Sequence, residues 1–373
     1  MPRPRVFTVA SLFTGVGGLD LGFQQEGFRT ELATDVMKAA IASYRNNFPG
    51  EALEADISRL PMSEIPSSTV LIGGPPCQSF SLVGQRRAGD PRGQLVFRFL
   101  DVVRAKRPTV FVLENVPGMA ASKVNGVRLP DVLTARFEEL GYFVVQMKLN
   151  AFDFLVPQRR KRLFLIGSLI GPVPLLSPEA YLKVVCGAKT ESISLSASAA
   201  IGDLGDPVSK GRRASYGARR SSRFAQLMRT PGLLDVSLHE QPRMSSTDLR
   251  LVSHIPQGGN YRDVPDSAST ARIMKFKATG GRTTTYGRLH PDRPAFTINT
   301  YFRRPNVGCN FHYEEPRLIT AREAMRFQGI PDRFELSFSS QDERNRLIGN
   351  AVPPPLARAV AMAVRLHLSG AQR

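Results

Sequence analysis

The stretch Thr69-Val70-Leu71-Ile72-Gly73-Gly74-Pro75-Pro76-Cys77 limits the fold more than any other part of the chain. A short apolar run bounded by turn residues reads as a buried strand. Two glycines let the backbone leave that strand tightly, and two prolines then fix φ and stiffen the loop ahead of Cys77. A thiol on such a loop has its approach direction set by the main chain. The bland alternative is a small buried hydrophobe, the usual fate of a free cysteine.

The chain around this stretch repeats one pattern. Residues 5–13 read as a strand, Thr14-Gly15-Val16-Gly17-Gly18 as a Gly-rich turn, and residues 19–26 as a helix. Such a unit lets a ligand lie against bare backbone at a helix N-terminus. The glycine spacing suits NAD, a flavin or S-adenosylmethionine, and equally a simple tight turn. A second strand, 29–34, ends at Asp35 and is followed by a helix over 37–46; a third short strand ends near Asp56 and Ile57. The polar, basic stretch 84–93 reads as a loop that closes over a ligand, and 95–107 as an amphipathic helix. Residues 109–113 form a strand running into Glu114-Asn115-Val116, followed by a helix near 129–140 and strands at 142–149 and 163–166.

Parallel strands joined by helices expose their carboxyl ends along one edge, and ligands bind there. The link from 149 to 163 is too short for a crossover helix, so the last strand should run antiparallel. It then returns Arg160 and Arg162 to the edge that carries Phe13, Asp35, Asp56, Cys77 and Glu114. A thiol, a carboxylate and two guanidinium groups on one face are hard to explain as packing.

A length of 373 residues suggests two domains, or one large core with an insertion, and 42% hydrophobic residues supply the interior. Fifty Lys and Arg against 32 Asp and Glu give +18, which points to a polyanionic partner, most simply nucleic acid. Cys77, Cys186 and Cys309 are far apart, odd in number and without a CxxC pair; this excludes a disulfide framework, offers no metal signature and suggests a reducing cytoplasm. No apolar run reaches the roughly 18 residues of a membrane span, and the start does not resemble a signal peptide. From 168 to about 267 the strand–helix alternation gives way to Ser, Gly, Pro and Arg. Arg212, Arg213, Arg219, Arg220 and Arg223, interleaved with Tyr216 and Phe224, read as a phosphate-contacting surface. Thr320 and Glu323 form a capping box opening a helix to Gln328, and Ser340 to Glu343 forms a second one ahead of 344–348. Residues 349–354 read as a turn. Leu356, Val360, Ala363 and Val364 share one face of a last helix, expected to bury against the sheet.

Cysteine adds as a soft nucleophile to an electron-poor double bond, a carboxyl in an apolar pocket can hand a proton to a ring nitrogen, and arginines donate to carbonyl or phosphate oxygens. These parts suit conjugate addition to a pyrimidine: thiolate attack at C6, a proton to N3, methyl capture at C5. A cysteine protease fails, because no histidine lies near the converging edge in sequence.

The ordered set resembles the C5-cytosine DNA methyltransferase family of bacterial restriction–modification systems. Phe13-x-Gly15-x-Gly17-Gly18 is similar to its cofactor motif, and Pro75-Pro76-Cys77 to its catalytic loop. Glu114-Asn115-Val116 and Gln158-x-Arg160-x-Arg162 follow in family order. Arg322-Glu323-Ala324 through Gln328-Gly329-Ile330-Pro331-Asp332, and Gly349-Asn350-Ala351-Val352, complete the series. The resemblance implies an α/β fold: a Rossmann-like, S-adenosylmethionine-dependent methyltransferase sheet, mostly parallel with the last strand antiparallel. It also implies a smaller target-recognition domain. The expected organisation is a catalytic and cofactor domain over 1–175, the recognition domain over 176–335, and a C-terminal segment, 336–373, returning to the catalytic domain.

The resemblance further implies Cys77 as nucleophile, Glu114 on the base, and Arg160 and Arg162 on the target nucleotide. S-adenosylmethionine would meet Phe13, Gly15, Gly17, Gly18, Asp35, Asp56, Ile57, Pro76, Leu95, Asn350 and Val352. Gln78, Ser79, Arg86, Arg87, Arg212, Arg213, Arg219 and Arg220 would contact double-stranded DNA with the target cytosine flipped out. A cytoplasmic, DNA-associated monomer without metal is expected. Asp35 departs from the usual glutamate by one methylene. The tRNA-modifying branch of the family typically carries a Cys-Phe-Thr tripeptide, which is absent here. A non-catalytic DNA-binding protein has no need of a nucleophile, and a plain NAD enzyme has no role for the Pro-Pro-Cys loop.

Overall fold

The computed structural model describes residues 6–76, 91–187 and 193–371. Cys77, Gln78, Ser79, Arg86 and Arg87 lie outside the described residues. The chain divides into two compact units, one of Met1–Phe154, Lys161–Tyr181 and Val352–Arg373, the other of Leu155–Arg160 and Leu182–Ala351.

The first unit is built on a sheet whose strands are β1 (Thr8–Leu12), β2 (Arg29–Asp35), β3 (Ala52–Glu54), β4 (Val70–Gly73), β5 (Val110–Asn115), β6 (Phe143–Asn150) and β7 (Lys161–Ser168). Their spatial order is β3-β2-β1-β4-β5-β7-β6. β1 to β5 pair in parallel, and β7 runs antiparallel to both β5 and β6, as the short link requires. Every residue of β4 and β5 is buried. Strands covered on both faces read as unbroken apolar runs, which is why these were legible. The chain winds outward from β1 to β3, then crosses to the other side of β1 for β4. That reversal opens a crevice at the carboxyl ends of β1 and β4, the place where open α/β sheets take their ligands.

Helices α1 (Gly18–Gln25), α2 (Lys38–Asn47), α3 (Pro91–Lys106) and α4 (Leu129–Glu139) connect the strands. α3 begins at Pro91, so residues 91–93, expected in a loop, are already helical; proline suits a first helical turn, where its missing N–H costs nothing. Val96, Phe99, Leu100 and Val103 of α3 and Leu133 and Phe137 of α4 share one buried cluster with Leu12, Leu71, Phe111, Leu113 and Leu165 of the sheet. Burying each such side chain is worth about 1.5–3 kcal/mol.

The C-terminal part corrects two expectations. Residues 349–354 are not one turn, because a helix spans Gln341–Asn350 and the break is confined to Ala351–Pro353. The last helix, Pro354–Gly370, does bury Leu356, Val360, Ala363 and Val364, but its main partner is α1 and not the strands. Gly22 makes this possible: a Cβ there would lie 2.4 Å from the Arg358 nitrogen and 2.5 Å from the Ala357 carbonyl carbon. The stretch Gln341–Gly370 has the length and composition of a membrane span, yet 78% of its most apolar window is buried.

The second unit has few and short strands, and it packs in a different way. Leu251, Val252, Ile255, Tyr261, Val264, Ile273, Tyr286, Phe311 and Leu318 form its apolar cluster. Beside it lie buried charges: Arg326 with Asp332 at 2.6 Å and Asp203 at 3.0 Å, and Arg317 with Glu323 at 2.8 Å. Thr320 and Glu323 form the expected capping box of helix Ala321–Phe327. Glu323 therefore does double duty, and the Arg317 guanidinium holds its carboxyl far below the usual range despite burial.

Two outcomes follow. Gly22→Ala, which drives a methyl into backbone, should cost about 2–3 kcal/mol in urea unfolding. A depressed carboxyl contributes stability above its unfolded pKa and loses it as pH falls through the folded one. The thermal midpoint of Glu323→Gln should therefore lie below that of the parent at pH 7, with the gap closing as pH falls below the ordinary glutamate value of 4.5.

Candidate active site

The parallel register aligns the strand ends residue by residue. Leu12 lies opposite both Thr34 and Gly73, Gly73 opposite Leu113, and Asp35 opposite Glu54. Phe13, Asp35 and Glu114, expected on one edge from sequence, are thus brought to it. Asp56 follows two residues after β3. Its side chain is turned to its own loop, accepting from the Ser58 amide at 3.0 Å and hydroxyl at 2.7 Å, and these bonds hold its pKa down. Ile57 belongs to the buried cluster under the sheet, and Phe13 and Leu95 pack against that same cluster.

The Gly-rich turn after β1 is left-handed at Phe13 (φ 56°), Gly15 (56°) and Gly17 (82°). Each glycine has its own reason. A Cβ on Gly17 would sit 2.3 Å from the Phe48 ring, and one on Gly18 would sit 2.2 Å from the Val352 carbonyl oxygen. A Cβ on Gly15 would meet nothing within 4 Å, so this residue leaves an open space over the turn. The Gly15 amide donates to Asp35 Oδ2 at 2.9 Å, and the Met37 amide to Oδ1 at 2.8 Å. Burial raises the Asp35 pKa, with those amides pulling the other way. The shorter acid is drawn back onto the turn itself. Val352 lies against Gly18; Asn350 is exposed at the end of its helix, and Pro76 is half-buried.

At the end of β5, Glu114 Oε1 accepts from Arg162 Nε at 2.8 Å, with the two side chains only 10% and 9% exposed. Antiparallel pairing of Glu114 with Phe164 puts Arg162 beside it. Burial pulls the Arg162 pKa down, opposed by the Glu114 charge. The next residue, Asn115, donates its side-chain amide to the Pro75 carbonyl at 2.9 Å. Gly74 passes so close that a Cβ would be 2.9 Å from Glu114 Oε2. The two glycines and two prolines therefore run across a pinned carboxylate, and Pro76 precedes Cys77.

Arg160 is held differently from Arg162. It is 1% exposed, and its guanidinium donates to Ile298 O at 2.8 Å, Gly349 O at 2.7 Å and Ala351 O at 3.2 Å. It braces the C-terminus of helix Gln341–Asn350, where free carbonyls need donors. Among the basic residues 212–220, Arg213 pairs with Asp235 and Glu335, and Arg219 with Glu314. Arg212 and Arg220 are exposed and make no ion pair among the described residues. Sequence reasoning missed Thr14, Asp20, Tyr44 and the role of Asn115. Only Asp20, an acid in the first turn of a helix otherwise glycine and apolar as far as Phe23, carried a signal.

The family model for C-5 cytosine-specific DNA methylases matches residues 7–365. The chain is 32% identical to the Type II methyltransferase M1.HphI of Haemophilus parahaemolyticus, over 96% of this chain and 86% of the relative. It is 31% identical to the Type II methyltransferase M.MthTI of Methanothermobacter thermautotrophicus, over 97% and 98%. A crystal structure of a putative DNA modification methyltransferase encoded within an E. coli prophage superposes with a TM-score of 0.67 at 24% identity, covering 97% of this chain and 99% of that one. At that identity the superposition speaks for the fold.

Arg162→Leu, which strands the buried Glu114 charge without its cation, should destabilise the protein by about 3–5 kcal/mol in urea unfolding. Adding Glu114→Leu to it should recover at least about half of that loss, because the stranded charge is then removed as well.

Proposed function

The chain belongs to the C-5 cytosine-specific DNA methylase family, and from that premise we propose how its residues carry out the transfer of a methyl group to DNA cytosine. It is a DNA cytosine-5 methyltransferase, with an α/β, Rossmann-like fold. The Type II names of its relatives support a role as the modification enzyme of a restriction–modification system. S-adenosylmethionine would supply an electrophilic sulfonium methyl and leave as the neutral thioether S-adenosylhomocysteine.

The open space over Gly15, with Asp35 beside it and Phe13, Ile57 and Leu95 sharing one apolar cluster, fits a nucleoside and an amino-acid tail at the crevice. Gly17 and Gly18 act from beneath, admitting the Phe48 ring and the Val352 backbone. Asp35 holds the turn through the Gly15 amide and offers its carboxylate to a ribose. Asp56 and Pro76 complete the pocket in this reading.

The observation that carries the chemistry is the Glu114 carboxylate, fixed by Arg162 and lying against Gly74, three residues before Cys77. Cytosine C6 is unreachable inside a duplex, so the base is flipped out at a cost of a few kcal/mol. The Cys77 thiolate adds to C6 while Glu114 holds N3 and the exocyclic amine, which makes C5 nucleophilic. After C5 is methylated, a base removes the C5 proton, the C6–S bond breaks and Cys77 leaves as thiolate. Arg162 keeps Glu114 in place throughout. The second unit reads the target site, with Arg212 and Arg220 on phosphates.

Cys77→Ser should lower methyl transfer to plasmid DNA at least about a thousandfold while leaving S-adenosylmethionine binding within about twofold of the parent. DNA carrying 5-fluorocytosine, which cannot lose its C5 substituent as a proton, should trap the parent enzyme as an adduct visible by mass. Near-normal turnover of Cys77→Ser, or no adduct, would defeat this mechanism.

A further inference from the structure

Asp20 is fully buried in the first turn of α1, and none of the roles assigned above uses it. Its Oδ2 accepts from Thr14 Oγ1 at 2.7 Å and from Ser11 Oγ at 3.0 Å. Its Oδ1 accepts from the Tyr44 hydroxyl at 3.1 Å. No lysine, arginine or histidine pairs with it among the described residues. A carboxyl buried among hydroxyls alone is costly, and it needs a reason beyond packing.

The reason lies in what those hydroxyls belong to. Ser11 is in β1, Thr14 in the Gly-rich turn and Tyr44 in α2. Thr14 sits between Phe13 and Gly15, both at φ 56°, where an L-residue such as Phe13 is strained. Its hydroxyl on Asp20 supplies an outside hold at that place. Tyr44 grips the same turn twice. Its ring, stacked on Phe48 at 4.3 Å, lies 3.0 Å from where a Gly17 Cβ would be, and its hydroxyl reaches the turn through Asp20. One carboxyl thus ties strand, turn and second helix together, and its Thr14 bond falls on the residue just before Gly15.

We propose that Asp20 and Tyr44 are positioning residues that hold the Gly-rich turn in its cofactor-receptive shape, setting the affinity for S-adenosylmethionine without touching it. This rests on the reading of the crevice as the S-adenosylmethionine site. A pre-shaped turn spares the ligand the cost of ordering it, so loosening the hold weakens binding and leaves the methyl-transfer step alone.

Tyr44→Phe removes one oxygen and keeps the ring stack, so it tests the hold without emptying the core. Calorimetric titration of the full chain with S-adenosylmethionine should show Kd raised about three- to tenfold by this variant. Turnover on plasmid DNA should show KM for S-adenosylmethionine rising in step, with kcat at saturating cofactor within about twofold of the parent. Asp20→Asn, which replaces one accepting oxygen by an amide donor, should weaken binding further. An unchanged Kd in Tyr44→Phe overturns the proposal, and so does a fall in kcat with Kd intact. A lowered thermal midpoint with Kd intact would mark a merely structural role and overturns it too. If the parent itself fails to bind S-adenosylmethionine, the reading of the crevice falls and this inference falls with it.

Discussion

A main chain that turns left-handed at Phe13, Gly15 and Gly17 within five residues does not hold itself in place. Two of these residues escape the steric penalty by lacking a Cβ, and Phe13 bears it. The turn is secured by contacts from outside: the Asp35 carboxylate on the Gly15 amide, Asp20 on the Thr14 hydroxyl, the Tyr44–Phe48 stack against Gly17, and the Val352 carbonyl against Gly18. Those holds come from β2, α1, α2 and the C-terminal segment. The same constraint therefore dictates that the last residues of the chain return to the first unit.

Across the switch point the logic is electrostatic. Glu114 is useful only if its carboxylate stays put in a site largely closed to water, and a buried carboxylate is tolerated only with a partner. The antiparallel β7 supplies that partner, because reversing the strand sets the residue before Leu163 next to the end of β5. A parallel strand in that position would have placed its amino end at the far edge of the sheet. The single reversed strand is thus the structural condition for the Glu114–Arg162 pair, and Gly74 is the condition for bringing the β4 loop up to it.

The second unit meets a different problem with different means. Short strands cannot enclose a large apolar core, and this unit combines a modest cluster with buried, fully engaged arginines. Arg322 donates to the Ser237 and Phe334 carbonyls, and Arg326 grips Asp332 with two nitrogens. Such networks cost desolvation and return geometric definition. Arg213 and Arg219 spend their charge on surface ion pairs, which leaves Arg212 and Arg220, among the described residues, as the members of this basic stretch without one.

The main strands and helices of the first unit and the capping box at Thr320 were legible in the sequence because their causes are local: apolar runs, glycine and proline punctuation, a side chain bonding its own backbone three residues on. The helices Pro178–Cys186, Arg223–Met228, Ser246–Ser253 and Ala271–Thr279 were not read from it. The antiparallel return of β7 was legible from the length of a link. Which arginine stays with Glu114 was not. Arg160 and Arg162 stand two residues apart in the same motif, yet Arg160 meets the Gly349 carbonyl, 189 residues further along, and Arg162 meets Glu114. Likewise Asp20 and Asp35 are ordinary acids until Thr14, Tyr44 and Gly15 are folded against them. The sequence by itself determined the elements and the reactive groups at their ends, since both depend on near neighbours. Only the tertiary structure decided which of those groups face a substrate and which are consumed as braces, because burial and partner choice are set by residues that chain order keeps far apart.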